Sequence, residues 1–265
     1  MLMNLRGGRI HYDLVGPATG PVVCFAHSLA CDGGMWAEQL PPVLSAGYRV
    51  LRLDMRGHGG SDPVAGNYTM AMLADDVAAT LDFLRIARVH LIGLSIGGMI
   101  AQAFAISYGP RLASAMLCDT AARTMGGAAE AWAPRIEAVT KANSVAPLAD
   151  ATMERWLTPA FKTRNPERWS QIHATICATT PVGFLGCSRA ILDFDFEPAL
   201  PSVDTATLVV CGANDEGTPP AGNKRIAELV PCARYEEIAE ARHLPNIEHP
   251  EAFNRIMVDW LDSHR

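Results

Sequence analysis

The chain has 265 residues, 22 of them Lys or Arg and 28 Asp or Glu, so its formal charge is −6, and 49% of its residues are hydrophobic. That length fits one large domain or a domain carrying an insertion, and the composition excludes disordered, collagen-like and coiled-coil chains. The acidic balance, with no basic stripe, excludes a general nucleic-acid binder.

Seven cysteines, odd in number and without a C-x-x-C pair, read as buried thiols of a reducing, cytoplasmic protein. They are Cys24, Cys31, Cys118, Cys177, Cys187, Cys211 and Cys232. The first residues carry no long apolar stretch ahead of a small-residue cleavage site, so no signal peptide is expected. The most apolar segment, 91–106, is interrupted by glycines, Ser95 and Gln102, which argues against a membrane span.

In chain order, β-type runs fall at 9–15, 21–26, 48–54, 88–94, 114–118, 206–211 and 233–238. Helical patterns separate them at 35–46, 70–86, 96–108, 221–230 and 251–262. In 70–86 the spacing of Leu73, Val77, Leu81 and Leu84 builds one apolar stripe and sends Asp75, Asp76 and Asp82 to solvent. This alternation predicts an α/β fold, a mostly parallel sheet flanked by helices. Between about 120 and 195 only helical patterns appear, with Asn165-Pro166 and Thr180-Pro181 expected as N-cap and first-turn pairs. The expected organisation is a core of 1–120 and 196–265, with 121–195 inserted as a helical lid.

Gly93-Leu94-Ser95-Ile96-Gly97 fits G-x-S-x-G between a strand and a helix. Such a turn strains the serine, exposes its hydroxyl, and places helix N–H groups where negative charge develops. Serine needs a base, and among eight histidines only His243 lies in the loop after the last strand and before the last helix, His249 sitting at that helix's entry before Pro250. Two carboxylates at strand ends compete to orient it, Asp215 and Asp119; Asp215 is preferred because the order Ser, Asp, His suits this architecture. The oxyanion donors are expected to be the N–H groups of Ile96, just after the serine, and Leu29, in the loop HSLACDGGMW. His27 in that loop reads as a brace, since His243 already fills the base role.

These blocks, together with RLDMRGHGGSD, LCDTAART, GANDEGTPP and HLPNIEHPEAF, resemble the α/β-hydrolase superfamily. The resemblance is closer to its 3-oxoadipate enol-lactonase branch. It implies the α/β-hydrolase fold, a Ser95–His243–Asp215 triad and an acyl-enzyme route for a small ester or lactone. It requires no metal or organic cofactor, no nucleic acid and no membrane. Arg56 and His58 match the family's structural loop and are not expected to be catalytic. Ser28 stands where many relatives have glycine and joins the expected substrate contacts. An enol-lactone with a free carboxylate needs a cation, and residues 121–192 hold eight basic and five acidic residues. Trp132 with Arg135, and Arg155 with Trp156, are therefore the expected lid contacts, with aromatic packing of lid on core as the alternative. A general carboxylesterase, an inactive binding protein on the same scaffold, and a cofactor-free oxygenase or C–C hydrolase stay open at this point, as does the oligomeric state.

Overall fold

The computed structural model describes residues 1–5, 7–231 and 233–265; Cys232 lies outside the described residues. The first half runs β1 (Leu2–Leu5), β2 (Gly8–Val15), β3 (Val22–Ala26), a 3-10 segment (Gly33–Gln39) leading into α1 (Leu40–Ser45), and β4 (Arg49–Leu53). It continues with α2 (Met70–Phe83), β5 (Val89–Leu94), α3 (Ile96–Tyr108) and β6 (Leu112–Cys118). Five helices follow with no strand between them: α4 (Ala128–Ala142), α5 (Ala149–Trp156), α6 (Pro159–Arg164), α7 (Pro166–Ala178) and α8 (Pro181–Leu192). The chain closes with β7 (Thr207–Gly212), α9 (Pro220–Leu229), β8 (Arg234–Ile238), α10 (Pro245–Glu248) and α11 (Pro250–Asp262).

The strands make one eight-stranded sheet in the order β1-β2-β4-β3-β5-β6-β7-β8. β1 and β2, and β2 and β4, pair antiparallel, and every other pairing is parallel. Every residue of β3, β5 and β7 is buried. That is why these strands read as unbroken apolar runs: helices cover both faces of a parallel sheet. The predicted α/β architecture is therefore the observed one, and its carboxyl edge gathers the turns after β3, β5, β6 and β7.

The structure departs from the sequence reading in four places. β1 is a four-residue edge strand whose register on β2 is set by tertiary pairing, and LMNL is too short to show a period. The expected helix at 35–46 is a 3-10 segment, capped by Asp32 accepting from Gly34 N–H, that passes into α1 at a proline-bearing first turn. Asn165 makes no side-chain cap for α7, whereas Thr180 caps α8 through Gly183 N–H and Thr158 caps α6 through Phe161 N–H. Asp76, expected in solvent, instead binds the buried Arg56 guanidinium through two oxygens, with Arg56 Nη2 to Asp76 Oδ1 at 2.6 Å. That bidentate pair ties α2 to the loop after β4.

Residues entering and leaving the helical insertion meet in a short neck. Arg123 bridges Asp195 antiparallel, Thr124 N–H donates to Phe194 O at 2.9 Å and Phe196 N–H to Ala122 O at 2.8 Å. The insertion is also fastened along its length. Arg168 forks onto the Glu38 carboxylate at 2.7 and 2.9 Å, and Thr180 donates its hydroxyl to Gly57 O at 2.7 Å. Gly57 has φ +71°, and a Cβ on it would lie 2.5 Å from Gly183 Cα, so α8 touches the core loop backbone to backbone.

Among the described residues no single helix is long and apolar enough to cross a membrane; α7 and α8 reach that length and composition only together, across a 90° bend. Six cysteines are described, all free thiols, with Cys177 half-buried and the others buried.

Candidate active site

Ser95 sits between the buried strand β5 and helix α3 with φ 58° and ψ −120°, a backbone conformation that a non-glycine residue holds only when its surroundings enforce it. Two hydrogen bonds do so: Ser95 N–H donates to Cys118 O at 2.9 Å, and Thr120 Oγ1 donates to Ser95 O at 2.8 Å. The flanking glycines answer to space. A Cβ on Gly93 would lie 2.1 Å from Gly97 O, and one on Gly97 would lie 2.2 Å from Ala26 O. The spacing of the pentapeptide is thus dictated by a strand, a turn and a helix pressed backbone to backbone.

Ser95 and His243 line the same cavity of about 290 Å³, which also receives Leu29, Trp132, Arg135, Arg155 and Trp156. His243 Nδ1 lies 2.8 Å from Asp215 Oδ2. A carboxylate can only accept, so Nδ1 carries the proton and Nε2 is left as the acceptor. Both side chains are buried, with His243 5% and Asp215 3% exposed, so solvent does not dilute this contact. Trp156 covers the imidazole with ring centroids 5.9 Å apart.

Asp215 is held by more than the imidazole. Gly217 N–H and Thr218 N–H donate to Oδ1 at 2.8 and 3.2 Å, and the Thr218 hydroxyl donates to Oδ2 at 2.6 Å. Burial pushes the Asp215 carboxyl upward, but His243, Thr218 and Gly217 together outweigh it and hold the group below the usual carboxylate range. Thr218 was not anticipated from sequence. Its signal is visible in retrospect as the threonine three residues after the aspartate, a spacing that lets a short hydroxyl cap the same turn.

Asp119, the competing carboxylate, is fully buried at the end of β6 with φ 43° and binds Gly212 N–H through Oδ1 at 2.8 Å. One donor atom each from Asp119, Asp215 and His243 lie within 4.8 Å of one another, close enough for a metal ion. Both Asp215 oxygens and Asp119 Oδ1 are already engaged by protein donors, so the cluster is held by the protein's own hydrogen bonds.

Ile96 opens α3, so its N–H lacks an intrahelical acceptor. Among the described residues Leu29 N–H donates to no backbone carbonyl. Leu29 stands in a tight turn closed by Cys31 N–H donating to Ser28 O at 3.1 Å, with Ala30 at φ 57°. The loop is braced from below. Met55 N–H donates to His27 Nε2 at 2.9 Å, so the ring proton sits on Nδ1 and donates to Ser28 O at 2.8 Å. With both nitrogens spent inside the core, His27 has none left for the cavity. Asp54 adds to the brace by accepting from Gly33 N–H and Gly60 N–H at 2.8 and 2.9 Å. Burial, with His27 beside it, drives the His58 pKa down to about 3, so that ring is a neutral core group.

Of the expected substrate contacts, the structure brings Trp132, Arg135, Arg155 and Trp156 to the cavity and leaves Ser28 out. Ser28 is fully buried and does not line the cavity, because the turn that presents Leu29 directs the preceding residue into the core. The Arg135 guanidinium lies 5.2 Å from the Trp132 ring centroid, and Arg155 reaches the Thr152 hydroxyl at 3.4 Å. Burial lowers the pKa of both guanidinium groups, and Arg135 lowers that of Arg155 further.

The α/β hydrolase fold family matches residues 21–250. The chain is 33% identical over 263 residues to "3-oxoadipate enol-lactonase 1" of Acinetobacter baylyi, covering 99% of this chain and 97% of that protein. The crystal structure of an enol-lactonase from Burkholderia xenovorans LB400 superposes with a TM-score of 0.94 at 34% identity, covering 99% of this chain and 100% of the other. A thermophilic esterase from Thermogutta terrifontis, solved with malate bound, superposes with a TM-score of 0.90 at 30% identity, covering 97% and 94%. With an eight-stranded sheet of this order, a strained serine after β5 and a family match across most of its length, the chain belongs to the α/β-hydrolase fold family.

Proposed function

We propose that the protein is a serine hydrolase that opens a small, carboxylate-bearing lactone, most closely a 3-oxoadipate enol-lactone, through an acyl-enzyme on Ser95. In this reading residues 121–195 serve as the lid that closes the cavity over Ser95. The observation that carries the substrate class is the pair Arg135 and Arg155. Both line the cavity that holds Ser95 and His243, together with Arg123 and the carboxylate of Glu216; burial opposes the charge of both, Arg135 opposes that of Arg155 further, and neither forms a salt bridge among the described residues. Two neighbouring cations in a largely apolar cavity are costly until an anion enters. A substrate carboxylate supplies that anion and is oriented by it. The enol-lactonase identity of the Acinetobacter and Burkholderia relatives supports the same class.

The chemistry follows from the atoms. Ser95 Oγ attacks the lactone carbonyl carbon while His243 Nε2 takes the hydroxyl proton, and Asp215 stabilises the resulting imidazolium. The N–H groups of Leu29 and Ile96 hold the oxyanion. The ring C–O bond then breaks, and His243 returns its proton to the departing oxygen. The enol so released relaxes to a ketone, which draws the reaction forward. A water deprotonated by His243 attacks the acyl-serine, freeing the carboxylate and restoring Ser95.

The test is a comparison of kcat/KM for a carboxylate-bearing enol-lactone and for p-nitrophenyl acetate. Ser95→Ala is expected to lower both by about 10⁴-fold or more. Arg135→Gln and Arg155→Gln are expected to raise KM for the lactone about tenfold or more, with the neutral ester changed less than about threefold. Equal losses on both substrates would defeat the carboxylate reading, and turnover no higher than that of Ser95→Ala would defeat the hydrolase reading. The alternative, a general carboxylesterase, draws on the rest of the lining, where Met99, Phe184, Ile191 and Phe194 favour an apolar acyl group.

A further inference from the structure

Asp119 has no role in the reaction just described, yet it lies against the groups that do. Its Oδ1 is satisfied by Gly212 N–H, which ties the end of β6 to β7. Its Oδ2 is fully buried and pairs with no N–H or O–H donor among the described residues; the Cys211 thiol beside Asp119 is a weak donor that also reaches Gly212 O at 3.3 Å. Beside Asp119 lies another carboxylate: one side-chain oxygen each of Asp119 and Asp215 and a ring nitrogen of His243 fall within 4.8 Å of one another, and the Asp215 side chain acts on Asp119 both through its charge and through a side-chain hydrogen bond. Two carboxylates cannot satisfy each other, since both only accept, and their charges repel. A proton on one of them turns the repulsion into a hydrogen bond. Asp215 is the wrong place for it, because that carboxylate already accepts from Gly217 N–H, Thr218 N–H, the Thr218 hydroxyl and His243 Nδ1–H.

We propose that Asp119 is a positioning residue that keeps its proton on Oδ2 and donates it as a hydrogen bond to Asp215, fixing that carboxylate behind His243. The inference rests on the Ser95, His243 and Asp215 assignments made above. The titratable groups around Asp119 are Cys118 on its own strand, Cys211 on β7, Tyr235 on β8, and Asp215 and His243 on the loops after β7 and β8. Burial opposes ionisation of Asp119, and the Asp215 charge opposes it further, so its carboxyl is pushed well above the ordinary range. The proton stays on Asp119 through the cycle. His243 exchanges protons with Ser95 and water, Asp215 remains charged, and Asp119 lends geometry without taking part in transfer.

Two measurements test this on the full-length protein. In protein labelled with ¹³C at the aspartate carboxyl carbons, one resonance should keep the shift of a protonated carboxyl at pH 7 and should vanish in Asp119→Asn. Absence of such a resonance from the wild type overturns the proposal whether or not the variant folds. The second reads the rate of Ser95 labelling by a fluorophosphonate against pH. Asp119→Asn, a neutral donor of the same shape, is expected to leave the acid limb within about 0.3 pH unit and the plateau rate within about threefold. Asp119→Leu, which removes the donor, is expected to lower the plateau by about tenfold or more. If Asp119 were ionised, Asp119→Asn would remove a charge beside His243 and move the acid limb down by about one unit, which overturns the proposal. Wild-type protein that resists labelling altogether would instead defeat the nucleophile assignment, and the carboxyl resonance would still decide the state of Asp119.

Discussion

His58 shows how much of this site's support is made of uncharged polar groups. The ring is fully buried, donates through Nδ1 to Arg56 O at 3.0 Å, and has its pKa depressed to about 3 by burial and by His27. Between about pH 6.5 and 3 the unfolded chain therefore holds a proton at this position that the folded chain does not. The stability that a neutral His58 confers is complete above pH 6.5 and drains away as pH falls through that window. Urea unfolding of His58→Gln should show it: the gap between wild type and variant should narrow by up to about 1.4 kcal/mol per pH unit on going from pH 6.5 to 5. A constant gap would mean that the folded ring is already protonated. Asp215 carries the opposite kind of residue-scale prediction. Asp215→Asn should lower kcat by about 10³- to 10⁴-fold, because an amide that donates toward His243 selects the wrong tautomer, while folding stays intact by circular dichroism. The candidates Ser95, His243 and Asp215 were legible in sequence because each stands in a turn or loop beyond a strand with the right chemistry, with Asp215 chosen over Asp119 by chain order. Thr218 was not, because a threonine in a turn becomes meaningful only when its hydroxyl is seen 2.6 Å from a carboxylate.

Between elements, the connection from α5 to α6 is locked to the loop that carries His243. The buried Glu248 carboxylate accepts from Arg242 N–H at 2.8 Å, from Thr158 N–H at 2.7 Å and from the Thr158 hydroxyl. Leu244 N–H adds a bond to Trp156 O at 3.3 Å, and Arg242 donates to Glu154 O. The tryptophan that covers His243 is thus held from the same carboxylate that shapes the His243 loop. Glu248→Ala strands three donors at once and should cost roughly 2–3 kcal/mol of stability. Hydrogen exchange should quicken at 155–160 and 242–244 while the anchor of α8 on Gly57 stays protected. Unchanged exchange at 155–160 would show that Arg168, Thr180 and the neck suffice to hold the insertion. Such locks were hidden in the sequence, since Glu248 lies 90 residues from Thr158 and nothing in EHPEAF announces a partner. The helices themselves were visible, because their first-turn prolines and apolar spacing are local properties.

For the molecule as a whole, net charge and cavity charge have opposite signs. A chain of −6 places three guanidinium groups, of Arg123, Arg135 and Arg155, and one carboxylate, of Glu216, around a cavity of about 290 Å³, at the small end for ligand sites. A space of that size, lined by Trp132 and Trp156, limits the acyl group more than its chemistry does. Across p-nitrophenyl acetate, butyrate and octanoate, kcat/KM should fall by about tenfold or more at octanoate. A rate that climbs with chain length would show that the helical insertion yields to long substrates.

From the sequence alone came most of the order of strands and helices, the run of helices between β6 and β7, and the candidates for nucleophile, base and orienting acid on which the proposed function rests. These are local matters: periodicity follows from how side chains alternate along a strand or helix, and a strand-to-helix turn around a serine needs small neighbours within a few residues. Only the tertiary structure decided that β1 joins the sheet, that Ser28 is buried in the core while Leu29 meets the cavity, and that Arg135 and Arg155 share that cavity. It also decided that Asp119 and Asp215, read from sequence as rivals for one role, stand side by side. The reason is the same in each case: register, burial and charge neighbours depend on residues far apart in the chain, and only folding brings them within reach of one another.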